Sequence, residues 1–340
     1  MRRSRKPRPR SNEARADVAW HARSPLPRLF ALGTIAAIIL GHALPIPGGA
    51  APRHRTAALP QRSSDAQIEG YVERASARIW YASLGSGPPV ILLHGGLSSS
   101  LAWRGQVPAL LEAGYRVVLV DSRGHGRSTL GRLPLSYHLM AGDVLAVMDQ
   151  LQLRKASVVG WSDGAITALS LAMERGERLC KVFAFGANAD KGGVRPDAWE
   201  APVLGQIGPR LAREHAELSP RPGSFIALQQ AVRSMQASQP DFDRAQLATI
   251  RGPAVMIAAG AQDEFITPEH PTYLAIAVPG ARLHIFGGSG HFAPWEQPEA
   301  FNRAVMGFLG PAPDHCPGAR LQPNDAGSGS RRSGPRPRSG

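Results

Sequence analysis

The chain has 340 residues, enough for one large domain or two small ones, and 43% of them are apolar, an ordinary share for a globular core. Its net charge of +13 is uneven: residues 1–63 hold 12 Lys and Arg against 2 acidic residues, 310–340 hold 5 against 2, and 64–309 hold 22 against 22. The excess lies on tails without interleaved aromatics, which excludes a nucleic-acid platform, and two cysteines are too few for a disulfide framework.

Residues 1–28 are rich in Arg, Pro and Ser and have no apolar period, which predicts disorder. The uncharged, strongly apolar run 29–44 follows Arg28 and precedes the small residues Gly48, Gly49, Ala50 and Ala51, as in an export signal or an N-terminal anchor. It is shorter than the about 20 residues of a spanning helix, and His42, Pro45 and Pro47 spoil its far end. The arginines would keep the N-terminus inside, making the protein exported or membrane-tethered and facing outward. Alternatively, an over-extended start leaves a cytoplasmic protein beginning near Ser64.

From Ile68 short apolar strands alternate with helical segments. Residues 68–72 and 77–84 read as a hairpin and 89–94 as a strand ending in His94-Gly95-Gly96. A helix over 102–113 leads to a strand over 116–120, then a loop from Asp121 to Ser128 and a helix over 137–151. The strand over 156–160 runs into a helical segment, and further strands are expected over 181–186, 254–259 and 282–286. Helices fill 268–278 and 298–309. This alternation predicts a mostly parallel sheet with helices on both faces, an α/β domain over 64–310. Residues 188–252 break the rhythm with Pro196, Pro202, Pro209, Pro220 and Pro222 and helical spacing over 204–218 and 225–235, an insertion placed to form a small cap. The tail 311–340 reads as disordered, and Cys180 reads as a small buried hydrophobe.

Gly160-Trp161-Ser162-Asp163-Gly164 falls at the strand-to-helix junction and reads as a nucleophile elbow, where glycines two residues either side of Ser162 let the backbone double back. A serine hydroxyl needs a base, and the base needs an orienting acid. Asp263 follows the next-to-last strand and His291 the last, giving the order Ser, Asp, His at strand C-terminal ends. Glu264 is the alternative acid; His94 and His125, upstream of Ser162, are expected to hold loops, as are Asp121, Arg123 and Ser128. The developing oxyanion would take the backbone N–H of Asp163 and that of Gly96, or of Leu97 as alternative. Trp161 and Phe292 adjoin the nucleophile and the base and are candidate substrate contacts. No metal or organic cofactor is required, and the expected partner is a small-molecule substrate.

The pieces HGG, DSRGHGRS, GWSDG, GAQDEFITP and GGSGHFAPWEQPEAF together resemble the alpha/beta-hydrolase family over residues 67–309. The elbow, with Phe185-Gly186-Ala187-Asn188 after the next strand, is similar to that of valacyclovir hydrolase and related bacterial serine esterases. The resemblance implies that Ser162, Asp263 and His291 form the triad and that Asp163 stands where valacyclovir hydrolase recognises a substrate amino group. The expected activity is hydrolysis of a small ester, lactone or thioester through an acyl-enzyme. Carbon–carbon bond hydrolysis or cofactor-free perhydrolysis by the same triad is the alternative, and a non-catalytic binding module is the reading of another class.

Overall fold

The computed structural model describes residues 67–312 and Cys316. The basic N-terminal stretch, its apolar run 29–44 and the rest of the C-terminal tail lie outside the described residues. Among the described residues no helix is long and apolar enough to cross a membrane.

The elements in chain order are β1 (Ile68–Arg74), β2 (Ala77–Leu84), β3 (Pro89–Leu93), α1 (Val107–Glu112), β4 (Arg116–Val120), α2 (Tyr137–Gln150), β5 (Ala156–Trp161), α3 (Asp163–Arg175) and β6 (Leu179–Phe185). Then come α4 (Pro202–Leu218), α5 (Phe225–Gln236), α6 (Arg244–Leu247), β7 (Ala254–Gly260), α7 (His270–Ala277), β8 (Arg282–Phe286), α8 (Ala293–Glu296) and α9 (Pro298–Leu309). The strands form one sheet in the order β1-β2-β4-β3-β5-β6-β7-β8. β1 pairs antiparallel with β2, and β2 with β4; every other pairing is parallel.

Why these strands sit in the middle follows from composition. Every residue of β3 and β5 is buried, as expected of continuous apolar strands covered on both faces. Alternate residues serve opposite faces. Ile91, Leu93, Val118 and Val158 pack with Val144, Val147 and Met148 of α2 and Leu169 of α3. Leu92, Val159 and Phe183 pack on the other face with Trp103, Leu110 of α1 and Phe301, Val305 and Phe308 of α9. Each such side chain contributes about 1.5–3 kcal/mol by leaving water.

The order β4-β3-β5 is what positions the site. The chain leaves β3 to one side and returns to β5 on the other, so the loops after β3 and β5 diverge and open a crevice at their C-terminal ends. Between β6 and β7 the chain forms α4, α5 and α6, and buries Leu211, Leu228, Val232 and Met235.

Two expectations change. The helix expected over 102–113 is a 3-10 turn, Ser100–Trp103, followed by the separate α1. Gly105 lies in the break, and Pro108 in the first turn of α1 has no N–H to continue an earlier helix. The cysteines also pair: Cys180 of β6 and Cys316 of the tail form a disulfide with Cα atoms 5.7 Å apart. Cys180 is thus a cross-link rather than a buried thiol. Nearby, Lys181 Nζ donates to the carbonyls of Phe308 and Leu309 at the end of α9.

Candidate active site

Ser162 has φ 56° and ψ −121°, a conformation that a non-glycine residue adopts at a cost of about 1–3 kcal/mol. It is held there by its own N–H, which donates to Phe185 O at 2.8 Å, and by its carbonyl, which accepts from Ala165 and Ile166 at 2.8 and 3.0 Å. A Cβ at Gly160 would lie 2.6 Å from Ala165 Cα, and one at Gly164 would strike Leu93 O. Both glycines therefore serve close backbone approach. Asp163 is the first residue of α3, so its N–H is among those the helix leaves unused.

His291 reaches the site from the loop between β8 and α8. Its Nδ1 donates to Asp263, with Oδ1 at 3.0 Å and Oδ2 at 2.9 Å. Asp263 Oδ1 also accepts the N–H groups of Phe265 and Ile266, each at 2.9 Å. Burial opposes both charges, but the Asp263 carboxylate outweighs it and raises the His291 pKa above the ordinary imidazole value. Likewise, His291 and the backbone donors overcome burial and hold the Asp263 carboxyl below its usual range. Glu264 engages the backbone instead: its Oε2 accepts the N–H of His291 at 2.8 Å. The ring's acid partner is therefore Asp263.

The loop after β3 is pinned by a neutral histidine. Ser122 N–H donates to His94 Nε2 at 3.0 Å, so the ring proton sits on Nδ1 and is donated to Gly95 O at 2.8 Å. Burial lowers the His94 pKa, which keeps this tautomer at neutral pH. Gly95 O also accepts Ser98 N–H at 3.3 Å. With that carbonyl tied back, the N–H of Gly96 on the same peptide points the opposite way. Leu97 follows with φ 62°. His125 donates from Nδ1 to Arg123 O at 2.9 Å, and burial, with His94 beside it, pushes its pKa down to about 3. Asp121 binds Ser100 N–H and Arg127, Arg123 is buried against Asp143, and Ser128 bonds Asp121 O.

Ser162, His291, Gly96, Leu97, Asp163, Trp161 and Phe292 all line one cavity of about 340 Å³. Its roof is apolar, with Leu204, Ile207 and Leu211 of α4 and Val232 of α5. Trp161 meets Phe292 and Trp295 edge to face at 5.5 and 4.9 Å, and its indole N–H donates to His291 O at 2.8 Å. Asp163 is buried with its carboxylate in a polar corner. Oδ1 accepts from Tyr137 Oη at 2.7 Å and Gln236 Nε2 at 2.9 Å, and Oδ2 from Gln236 at 3.0 Å. Burial raises its pKa, and these neutral donors offset only part of that effect. Tyr137, Gln236, Lys191 and Arg195 are cavity residues that sequence reasoning missed. They lie on α2, α5 and the segment after β6, and carry no local motif that marks them. Among the described residues no group of three or more His, Cys, Asp or Glu is placed to hold a metal ion.

The chain belongs to the alpha/beta hydrolase family, whose model matches residues 90–304. It is 30% identical over 267 residues to a 2-hydroxy-6-oxononadienedioate/2-hydroxy-6-oxononatrienedioate hydrolase of Burkholderia vietnamiensis, covering 68% of this chain and 91% of that protein. It is 29% identical to a 2-hydroxy-6-oxo-6-phenylhexa-2,4-dienoate hydrolase of Comamonas testosteroni, with 68% and 91% covered. Among solved structures it is similar to an esterase from Exiguobacterium antarcticum at a TM-score of 0.57 and 25% identity, over 71% of this chain and 99% of that one. The protein is thus of a family of hydrolases, in agreement with the resemblance of its motifs.

Proposed function

We propose that this chain is a serine hydrolase that cleaves a small-molecule ester, lactone or thioester through an acyl-enzyme at Ser162. The observation that carries the reading is one cavity holding a strained, turn-mounted Ser162 and a His291 whose Nδ1 is held by Asp263. In this reading Ser162 Oγ attacks the carbonyl carbon while His291 Nε2 takes the hydroxyl proton, and Asp263 stabilises the imidazolium. The N–H groups of Asp163 and of Gly96, or Leu97, receive the oxyanion. Collapse of the tetrahedral species breaks the bond to the leaving group, which takes the proton from His291. Water then repeats the sequence to release the acid.

Asp163 refines the substrate. Its carboxylate faces the cavity with neutral donors, Tyr137 and Gln236, and a cationic amine would complete its partners better than either. An amino ester is the substrate type this corner favours. Carbon–carbon bond hydrolysis is the second reading, favoured by the names of the relatives and by Lys191 and Arg195 on the same cavity, which suit a carboxylate. Export is the proposed localisation, and the Cys180–Cys316 pair supports it because disulfides persist in oxidising compartments.

The test is turnover of a panel of p-nitrophenyl esters, amino-acid esters, lactones and a 2-hydroxy-6-oxo dienoate by the wild type and Ser162→Ala. Ester turnover that survives in Ser162→Ala overturns the serine reading. Turnover of the dienoate alone replaces the ester reading with the second.

A further inference from the structure

His291 sits in a glycine-rich loop, Gly287-Gly288-Ser289-Gly290-His291, which by itself fixes its backbone weakly. Asp263 sets the rotation of the ring through Nδ1. It does not hold the main chain from which the ring projects. Gln297 Nε2 donates to the carbonyls of Gly287 and Gly288 at the start of the loop, and at Gly290 and His291 three further side chains hold the main chain. Trp161 on β5 donates to His291 O at 2.8 Å, Glu296 on α8 accepts Gly290 N–H at 2.8 Å, and Glu264 accepts His291 N–H at 2.8 Å.

Glu264 differs from the other two in combining a backbone bond to His291 itself with a negative charge. It is half-buried, and the fit is close: a Cβ at Gly290 would lie 2.8 Å from the Glu264 carboxyl carbon. A hydrogen bond to an ionised acceptor is roughly twice as strong as a neutral one. We propose that Glu264 is a positioning residue for His291, fixing the backbone of the histidine loop and placing a second carboxylate beside the ring that Asp263 orients.

The proposal rests on the reading of His291 as the base. Glu264 does not line the catalytic cavity; with Gln262, Asp263 and Thr267 it borders a neighbouring hollow of about 550 Å³, which shares Arg195 and Ile266 with the cavity. Substrate in the cavity therefore does not touch it. When His291 accepts the Ser162 proton, the new imidazolium faces Asp263 and Glu264 on the loop after β7 and Asp163 at the start of α3. Glu296 of α8 lies one residue along, and Lys191 and Arg195, after β6, line the same cavity. Glu264 is one of the charges that raise the His291 pKa against burial, after the stronger effect of Asp263.

Three variants of the full chain separate the backbone bond from the charge. Glu264→Gln keeps an acceptor on His291 N–H and removes the charge. Glu264→Asp keeps a charge but is one methylene too short to reach, and Glu264→Ala removes both. The midpoint of His291 protonation is read in two ways, from the acid limb of kcat/KM and from the imidazole Cε1–H resonance by NMR. In Glu264→Gln and Glu264→Ala it should fall by about half a pH unit, and in Glu264→Asp it should stay near wild type. In Glu264→Asp and Glu264→Ala kcat should fall by about tenfold, while KM stays within about twofold. A Glu264→Gln midpoint that superimposes on wild type overturns the electrostatic part, and a wild-type kcat in Glu264→Ala overturns the positioning part. The NMR midpoint requires no turnover, so it tests Glu264 even if full activity in Ser162→Ala removes the serine-hydrolase reading.

Discussion

The residue before the proposed nucleophile holds the proposed base: Trp161 Nε1–H donates to the backbone carbonyl of His291 at 2.8 Å. The two are 130 residues apart in the chain. One side chain thus ties the elbow after β5 to the loop after β8 while its ring packs against Trp103, Phe292 and Trp295.

Trp161→Phe keeps an aromatic ring in that cluster and removes the donor. The expected loss in kcat is about tenfold, near the net worth of one buried hydrogen bond, with the fold retained by circular dichroism. Steady-state kinetics on any turned-over ester decides it, and a wild-type kcat would mean the bond is dispensable.

Ser162→Ala and His291→Ala should each lower kcat by about 10⁴ or more, and the double variant should lose little beyond either single one. Residues that act as a unit fail as a unit. Additive losses would show that Ser162 and His291 do not share a step.

The acid limb of kcat/KM should have its midpoint above about 6.5, the ordinary imidazole value. The sign follows from the pair: Asp263 raises the His291 pKa against burial, so the neutral base needed for attack appears only as pH rises through that raised value. The linked stability has two edges. Asp263, with its depressed pKa, contributes above its unfolded pKa and loses that contribution as pH falls through the folded one. His291 contributes below its unfolded pKa and loses it as pH rises through its raised folded value. Initial rates over about pH 4–9 check the acid limb, and thermal melts check the two stability edges, the His291 edge above about pH 6.5 and the Asp263 edge only in melts carried below about pH 4.

The Cys180–Cys316 disulfide spans 136 residues of sequence. Closing so long a loop restricts the unfolded chain and should contribute about 2–4 kcal/mol, within the range seen for such bridges. Cys316→Ser, or reductant on the wild type, should lower Tm by several degrees, and peptide mapping without reduction should recover the linked pair. A chain ended at residue 310 loses this cross-link, whereas one that retains Cys316 keeps it. Equal Tm values with and without reductant would contradict the expectation.

Asp163→Asn should trade selectivity for stability. The ratio of kcat/KM for an alpha-amino ester over the same ester without its amine should fall at least about tenfold, as expected for a lost charged hydrogen bond. Because burial raises the Asp163 pKa, its ionisation weakens the folded state as pH rises past the unfolded carboxyl value, and asparagine avoids this. Tm at pH 7 should therefore rise, by about 2–4 °C for about 1 kcal/mol. An unchanged ratio would leave Asp163 as a partner of Tyr137 and Gln236 with no part in substrate choice.

The local signals were strong where neighbouring residues decide the outcome. Period-2 and continuous apolar runs marked β2 to β8, helical spacing marked α2, α4, α5 and α9, and Gly160 and Gly164 marked a turn whose strained residue is Ser162. Even the placing of Ser162, Asp263 and His291 at strand ends was legible, because a parallel sheet gathers its strand C-termini on one edge.

What only the tertiary structure decided involves residues brought together from distant segments. Asp163 could be read as a helix-start acid, but its burial between Tyr137 of α2 and Gln236 of α5 depends on how the insertion folds over the sheet. Glu264 and Asp263 are adjacent acids, and the sequence favoured Asp263 with Glu264 as the alternative; the path of the histidine loop gives the ring to Asp263 and the backbone N–H to Glu264. Cys180 and Cys316 pair because the end of α9 returns to the start of β6. Periodicity reports which face of an element is buried, but a contact between distant elements depends on their packing, and no local pattern encodes it.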